Sequence, residues 1–476
     1  YNTGAALLAM QGFVIPVQEN LNQFVEGLSG GEFGGYVAAV NPWGEGCFAT
    51  YNPPVNWNRA FFNDVISGIY PQYLPLSAIT NDPVVLALAK LYRVAAMHRV
   101  TDAYGPIPYS KVGKNTEGNS LSAPYDSQEE VYKQMLVELD EVIAVLVENR
   151  YIDAASYAKF DNVYSGSMEK WAKYANSLKL RIAMRMAYVD PNLARQTAEQ
   201  AVSNTLGVME SNADNAFLKV TKNPWDLQIN NWNDSRVGAD IVSYMNGYKD
   251  PRREKYFTKS GFAGIDYIGM RGGLLAASKA PLLPFSKMIV DVTSPLLLMN
   301  AAEVAFLKAE GALRGWNMGG QSAEALYNRG IELSFEQLGA SGVAAYIAND
   351  SDIPAGYVFP LGNTNYDFSS RSTITIKWNG GDSFERNLER IITQKWIAIF
   401  PLGHEAWAEF RRTGYPKLAP VVENKSGGTI PIGSFIKRLA FSDTEYAENR
   451  ENVYEALGLL NGPDNQGTKL WWDKKN

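Results

Sequence analysis

Residues 83–110 read PVVLALAKLYRVAAMHRVTDAYGPIPYS, and the change of character partway along this stretch decides the fold class. Over Pro83–Asp102 the residues Val84, Leu88, Leu91, Ala95 and His98 recur at spacings of four and three. That spacing lines one face of an α-helix. Beyond it, Tyr104-Gly105-Pro106-Ile107-Pro108-Tyr109 fixes a tight exit, because proline cannot continue a helix and glycine relieves the turn. A helix running into irregular chain is the pattern that repeats outward in both directions.

Downstream, Ser127 and Glu130 have the spacing of a capping box and open a helix over Ser127–Asn149. Its apolar stripe is Val131, Met135, Leu139, Val142 and Leu146. Met168–Tyr188 carries Trp171, Ala175, Leu178, Ile182 and Met186 on one face, and Asp190-Pro191 starts the next helix. Ala301–Arg314 and Ala323–Gln337 form a pair. Leu388–Phe400, Glu405–Arg412 and a short helix near Glu445–Leu457 follow. Paired helices, with Ala87, Ala95, Ala172 and Ala175 at close-packing positions, suggest hairpins of the tetratricopeptide type. An ordinary helical bundle would share the pattern, and no clean period of about 34 residues stands out. Long irregular stretches separate the helices at 29–58, 103–125, 211–236, 257–295, 340–383 and 413–440. They are rich in Trp, Tyr, Phe and Ile, and loops of this length in a compact domain usually carry function. Ile374–Trp378 alternates like a short strand. The expectation is a mainly α chain with minor β, one domain over 1–476. Its scaffold covers about 60–210 and 296–340, its loop face 29–58 and 222–295, and its closing helices and tail 384–476.

Hydrophobic residues make up 46% of the 476 and charged residues 20%, an ordinary globular balance. The net charge of −6 and the lack of a Lys/Arg run argue against nucleic acid. Cys47 is the one cysteine, so no internal disulfide forms, and a core this large needs none. No uncharged apolar run is long enough for a spanning helix. The opening Tyr1-Asn2-Thr3-Gly4 has neither initiator Met nor signal peptide, which suggests a mature fragment.

Catalytic patterns are sparse. His98 lies on an apolar stripe and reads as a buried, hydrogen-bonded side chain. His404-Glu405-Ala406-Trp407-Ala408 lacks the second His of a zinc-protease helix. Two His and one Cys make a structural zinc site improbable, and no calcium-loop pattern occurs. The glycine-rich segment 29–35 is not followed by the Lys-Ser/Thr of a phosphate loop. Glu405 and Glu409, one turn apart and followed by Arg411-Arg412, read as an ion-pair network. Two distant acids meeting in space could still make an α-helical glycoside hydrolase.

Four segments in order resemble the SusD/RagB family. They are Thr101–Ser110; Asn300–Glu310, with its Ala-Glu-x-x-Phe-Leu-x-Ala-Glu pattern; the pair Gln394–Ala398 and Glu405–Trp407 with Arg411–Pro416; and the tail Arg438–Asn452 with Thr468–Asp473. The resemblance runs over nearly the whole chain. It implies a glycan-binding (sometimes peptide-binding) lipoprotein on the outer face of the Bacteroidota outer membrane. Such a protein partners a SusC-like TonB-dependent transporter, needs no cofactor and is not an enzyme. It also implies a helical scaffold facing the transporter and a ligand face made of loops. The lipid-bearing Cys of the family is not matched by Cys47, so the anchor is expected upstream of Tyr1. Trp471-Trp472 belongs to the family ending and is expected to pack the tail.

Sugars present apolar C–H faces and rings of hydroxyls, which flat aromatics and planar hydrogen-bonding side chains match. Loop 29–58 offers Tyr36, Asn41, Trp43, Tyr51 and Trp57. Loop 222–273 offers Trp225, Asn230, Asn231, Trp232, Arg236, Tyr267 and Arg271. The selected contacts are Trp43, Tyr51, Tyr36, Trp232 and Tyr267 as platforms, with Arg236 and Arg271 donating to hydroxyls. A transporter lid that binds peptides or no glycan is the further alternative.

Overall fold

The computed structural model describes residues 2–114 and 121–475. The fold is mainly helical and its strands are few and short. The principal helices are α1 (Thr3–Val14), α2 (Val55–Tyr73), α3 (Pro83–Tyr104), α4 (Gln128–Glu148), α5 (Met168–Arg185) and α6 (Pro191–Ser203). They continue with α7 (Ala239–Gly247), α8 (Ala301–Leu313), α9 (Ala323–Leu338), α10 (Phe384–Ala398), α11 (Gly403–Thr413), α12 (Asp443–Glu448) and α13 (Arg450–Ala456). Consecutive helices pack as hairpins, α3 on α4, α4 on α5, α5 on α6 and α8 on α9, while α10 closes over α8. The capping box of α4 forms as its sequence implies: the Ser127 side chain meets the Glu130 N–H, and Glu130 reaches back to the Ser127 N–H. Asp190 caps α6 with Pro191 in its first turn.

Among the described residues, six strands make three two-stranded ribbons. They are β1 (Val37–Ala39) with β5 (Ser235–Val237), β2 (Ile107–Pro108) with β3 (Tyr125–Asp126), and β4 (Ala216–Leu218) with β6 (Leu296–Met299), all antiparallel. Ile374–Trp378, expected as strand, is not one. Ile374 and Ile376 do point inward, but their carbonyls accept from the Tyr248 hydroxyl at 2.9 Å and the Tyr327 hydroxyl at 2.6 Å. Side chains satisfy the backbone that a partner strand would otherwise pair.

The stretches expected as loops hold more helix than periodicity suggested. Residues 19–33 are helical, and their middle, Gln23–Gly30, is wound as a π-helix. A second π-helical turn spans Leu227–Asn231, and α7 lies within the second loop region. One large core runs through the hairpins and α10–α11. A smaller cluster around Met270, Phe285, Tyr357 and Phe359 sits under the loops.

Candidate functional site

The β1–β5 ribbon organises one end of the molecule. Val37 faces Val237 and Ala39 faces Ser235, and the pairing extends one step further, with the Val40 N–H donating to the Asp234 carbonyl at 2.9 Å. Because the strands are antiparallel, the chain leaving β1 and the chain entering β5 emerge side by side. Trp43 and Trp232, nearly two hundred positions apart in sequence, therefore sit on neighbouring loops. The Asp234 carboxylate ties these loops down. Oδ1 accepts from Asn41 and from the Lys279 ammonium (2.8 Å), and Oδ2 accepts from Gln23 Nε2 (2.8 Å). Lys279 also donates to the Trp232 carbonyl at 2.8 Å. Charge-assisted hydrogen bonds of this kind are the strong ones, so the loop ends are held in a single geometry.

The two π-helical turns brace the same region from below. Gln228 Nε2 donates to Asn22 Oδ1 at 2.7 Å, and a Cβ on Gly27 would come within 2.4 Å of Gln228 Oε1. A side chain at position 27 would therefore displace the Gln228 amide. π-helical turns are rare and concentrate at functional sites.

Trp43 is half-buried and stands edge-on to Trp57 at 4.9 Å and 88°, and its indole N–H finds no partner in the protein. Trp57 in turn touches Phe24 and Phe48. Trp232 is half-exposed beside the exposed amides Asn230 and Asn231. Asn230 donates to Asp226 Oδ1 (2.8 Å) and the Val290 carbonyl (3.0 Å).

The other selected residues lie elsewhere. Tyr36 is fully buried, stacks on Trp396 at 5.7 Å and donates its hydroxyl to the Trp396 carbonyl at 2.5 Å. Arg236 is buried and donates to Leu283 O, Ser235 O and Asn233 Oδ1, so its capacity is consumed by loop carbonyls. Burial without a carboxylate draws its pKa down to about 10. Arg271 is buried, donates to Tyr366 O (3.2 Å) and Pro420 O (2.7 Å), and lies over the Phe368 ring. Tyr51 is buried against Phe33. These four turn inward, which corrects their reading as surface contacts. Tyr267 is half-buried under the Arg253 guanidinium, its carbonyl tied to Asn246 at the end of α7 remote from β5. Trp225, another aromatic of that loop, is in the core.

Tyr51 and Arg271 line a cavity of about 40 Å³ together with Glu32 and Asp240, room for roughly two or three waters. Burial raises the Glu32 carboxyl to about 8, opposed by the hydrogen bond from the Ala39 N–H at 2.6 Å. Burial also raises Asp240, opposed by Arg271.

The titratable groups of α3 and α11 serve the fold. His98 Nδ1 faces the Val94 carbonyl at 3.1 Å and Nε2 faces Arg181 at 3.2 Å, so the ring donates at Nδ1 and accepts at Nε2. Burial and Arg181 hold its pKa down at about 3. His404 donates to the Val25 carbonyl at 2.8 Å and is likewise neutral. Glu405 meets Arg185 at 2.6 Å, and Glu409 meets Arg185, Lys395 (2.6 Å) and Arg412 (2.6 Å). Arg412 continues to Glu310 at 2.7 Å. Burial alone would raise the Glu405 carboxyl, yet Arg185 and Arg181 bring it to about 2. Arg411 does not join this network as its position suggested. It lies on the Trp407 ring and donates to the Trp407 and Lys437 carbonyls. Trp472 is buried, donating to Asp102 at 3.0 Å, as expected of a packed tail. Among the described residues no His/Cys/Asp/Glu group assembles a metal site, and no helix is long and apolar enough to cross a membrane.

A hairpin scaffold topped by braced, aromatic-bearing loops defines a large helical protein whose accessible features are its loops. A family model described as SusD-like, Susd and RagB outer membrane lipoprotein, matches residues 1–473, and the chain belongs to that family. A SusD homologue from Bacteroides thetaiotaomicron VPI-5482 is 46% identical with a TM-score of 0.94, each chain covered over 100%. A SusD homologue from Bacteroides uniformis ATCC 8492 is 45% identical, with 100% of both chains covered and a TM-score of 0.95. A chitin-binding SusD homologue from Flavobacterium johnsoniae is 39% identical over 100% of this chain and 99% of its own, with a TM-score of 0.94. Comparison with curated proteins gives no match.

Proposed function

We propose that the chain is the glycan-capturing subunit of an outer-membrane importer, held by a lipid anchor at the outer face and passing oligosaccharides to a SusC-like TonB-dependent transporter. What supports this reading is that the loops bearing Trp43 and Trp232 leave the same end of the β1–β5 ribbon. Trp232 is the stacking platform, the exposed Asn231 amide supplies neutral hydrogen bonds to hydroxyls, and Trp43 forms the neighbouring wall. The chitin-binding relative supports a saccharide as the ligand class. Binding alone is the role, a reading supported by both histidines being buried and hydrogen-bonded within the fold and by the α11 carboxylates being bound up in ion pairs.

Calorimetry against a panel of neutral oligosaccharides, chitin oligomers included, tests this. Binding of at least one glycan, weakened tenfold or more by Trp232→Ala with an unchanged melting temperature, is expected. Release of reducing ends from the bound glycan would show a hydrolase instead. Silence across the panel alongside a stable transporter complex would show a lid.

A further inference from the structure

The C-terminal end of α11 and the closing tail enclose an open cleft of about 750 Å³, lined by no residue of the β1–β5 ribbon. Six cations line it against two carboxylates, Glu385 and Asp473, in a chain whose net charge is −6. The balance is more one-sided than that count suggests. Lys475 is taken by Glu385 at 2.6 Å, and Lys469 stands 4.0 Å from Asp473. Arg371 and Lys417 have no ion-pair partner among the described residues, and Lys437 interacts with Asp473 only beyond ion-pair distance. Arg411, at the cleft wall, is only 5% exposed. Its Nε and Nη1 are held by carbonyls, its face rests on the Trp407 ring, and its Nη2 has no hydrogen-bond partner. A buried guanidinium short of one acceptor is costly unless something anionic completes it. Burial lowers its pKa to about 9, and burial also lowers that of Lys437, so both sit where an added negative charge is stabilising.

The cleft also has an aromatic wall. Phe410 and Phe435 pack edge to face at 4.8 Å, and both line it. Cations beside an aromatic wall match a ring-shaped ligand with apolar faces and acidic substituents. The cations line a concavity, which a flat bilayer surface cannot enter. The volume is that of an ordinary small-ligand site.

We propose that this cleft binds an acidic saccharide, a glycan segment bearing carboxylate or sulfate groups that meet Arg371, Lys417 and Lys437 while its C–H faces lie on Phe410 and Phe435. The inference rests on the glycan-binding reading and adds a second, charge-selective subsite to it.

The test is calorimetry on the whole chain with tetragalacturonate, a sulfated chondroitin tetrasaccharide and the methyl-esterified and desulfated counterparts, at low and at tenfold higher salt. At least one acidic ligand binds tenfold or more tighter than its neutral counterpart, and the difference shrinks with salt. The exposed pair Arg371→Glu and Lys417→Glu together lower that affinity at least tenfold without moving the melting temperature, and Lys159→Glu, outside the cleft, does not. Equal affinity for acidic and neutral forms, or no response to the charge reversal, overturns the proposal. So does binding confined to poly-glutamate or to vesicles of anionic lipid. Neutral glycans that bind in a Trp232-dependent way while acidic ones do not would sink this inference alone. No glycan of either kind binding would sink the glycan-binding reading with it.

Discussion

Asp234 holds donors from three separate segments, Gln23, Asn41 and Lys279, and so fixes where Trp43 and Trp232 stand. Asp234→Ala should cost about 2 kcal/mol in chemical denaturation, the range for hydrogen bonds to a charged group. It should also weaken glycan binding although it touches no sugar. Unchanged affinity would detach the ribbon from the site. Glu32 makes a pH prediction. Its folded pKa of about 8 lies above the ordinary value of 4.5, so the protonated form is the one the fold favours. Its contribution is complete below about pH 4.5 and is lost as pH rises through 8. Glu32→Gln should therefore gain stability relative to the parent protein as pH goes from 5 to 8.5, read from denaturant midpoints; a constant difference would contradict the raised pKa. At this scale the sequence misled where long-range partners decide. Tyr36 and Arg236 sit in loop-like sequence, yet their acceptors are the carbonyls of Trp396 and Leu283, which no local pattern announces.

Among the elements, α5, α8, α10 and α11 are joined by buried charges, with Glu409 at the centre between Arg185, Lys395 and Arg412. Glu409→Ala leaves the buried Lys395 without its acceptor, strips one acceptor each from Arg185 and Arg412, which keep Glu405 and Glu310, and should cost about 3–5 kcal/mol. Lys133→Ala breaks only the exposed pair with Glu129 and should cost at most about 0.5 kcal/mol. Comparable losses in the two variants would show that the network is solvated. The long helices were readable because burying one face imposes a period of 3.6 on many residues, as Val131 to Leu146 show. Three-residue strands carry no such record. The β1–β5 ribbon, on which the site depends, was invisible for that reason, and Ile374–Trp378 alternated like a strand only because its isoleucines point inward.

For the whole molecule, the motifs at Thr101–Ser110 and Asn300–Glu310 place the chain in its family because they are structural. Thr101 Oγ1 donates to the Gly105 carbonyl at 2.6 Å, and Asn300 caps α8 through the Glu303 N–H at 2.9 Å. The ligand-facing loops lack such constraints, so which aromatics face outward is settled by packing alone. Trp43 and Trp232 are partly exposed, whereas Trp396, Trp407 and Trp472 are core. Replacing Trp396 by Ala should cost about 3–5 kcal/mol and Trp232 by Ala under about 1 kcal/mol, measured by denaturation. Equal costs would make Trp232 another core residue.

Cys47 lies half-buried four residues beyond Trp43, its sulfur 3.2 Å from the Thr50 hydroxyl, and burial raises its pKa. It is the only thiol in the 476 residues. The aromatic loop thus contains a single attachment point for an environment-sensitive dye, reached at alkaline pH because burial holds the thiol protonated. Such a label would report ligand arrival, and any shift of the loop on docking to a transporter, from one defined position.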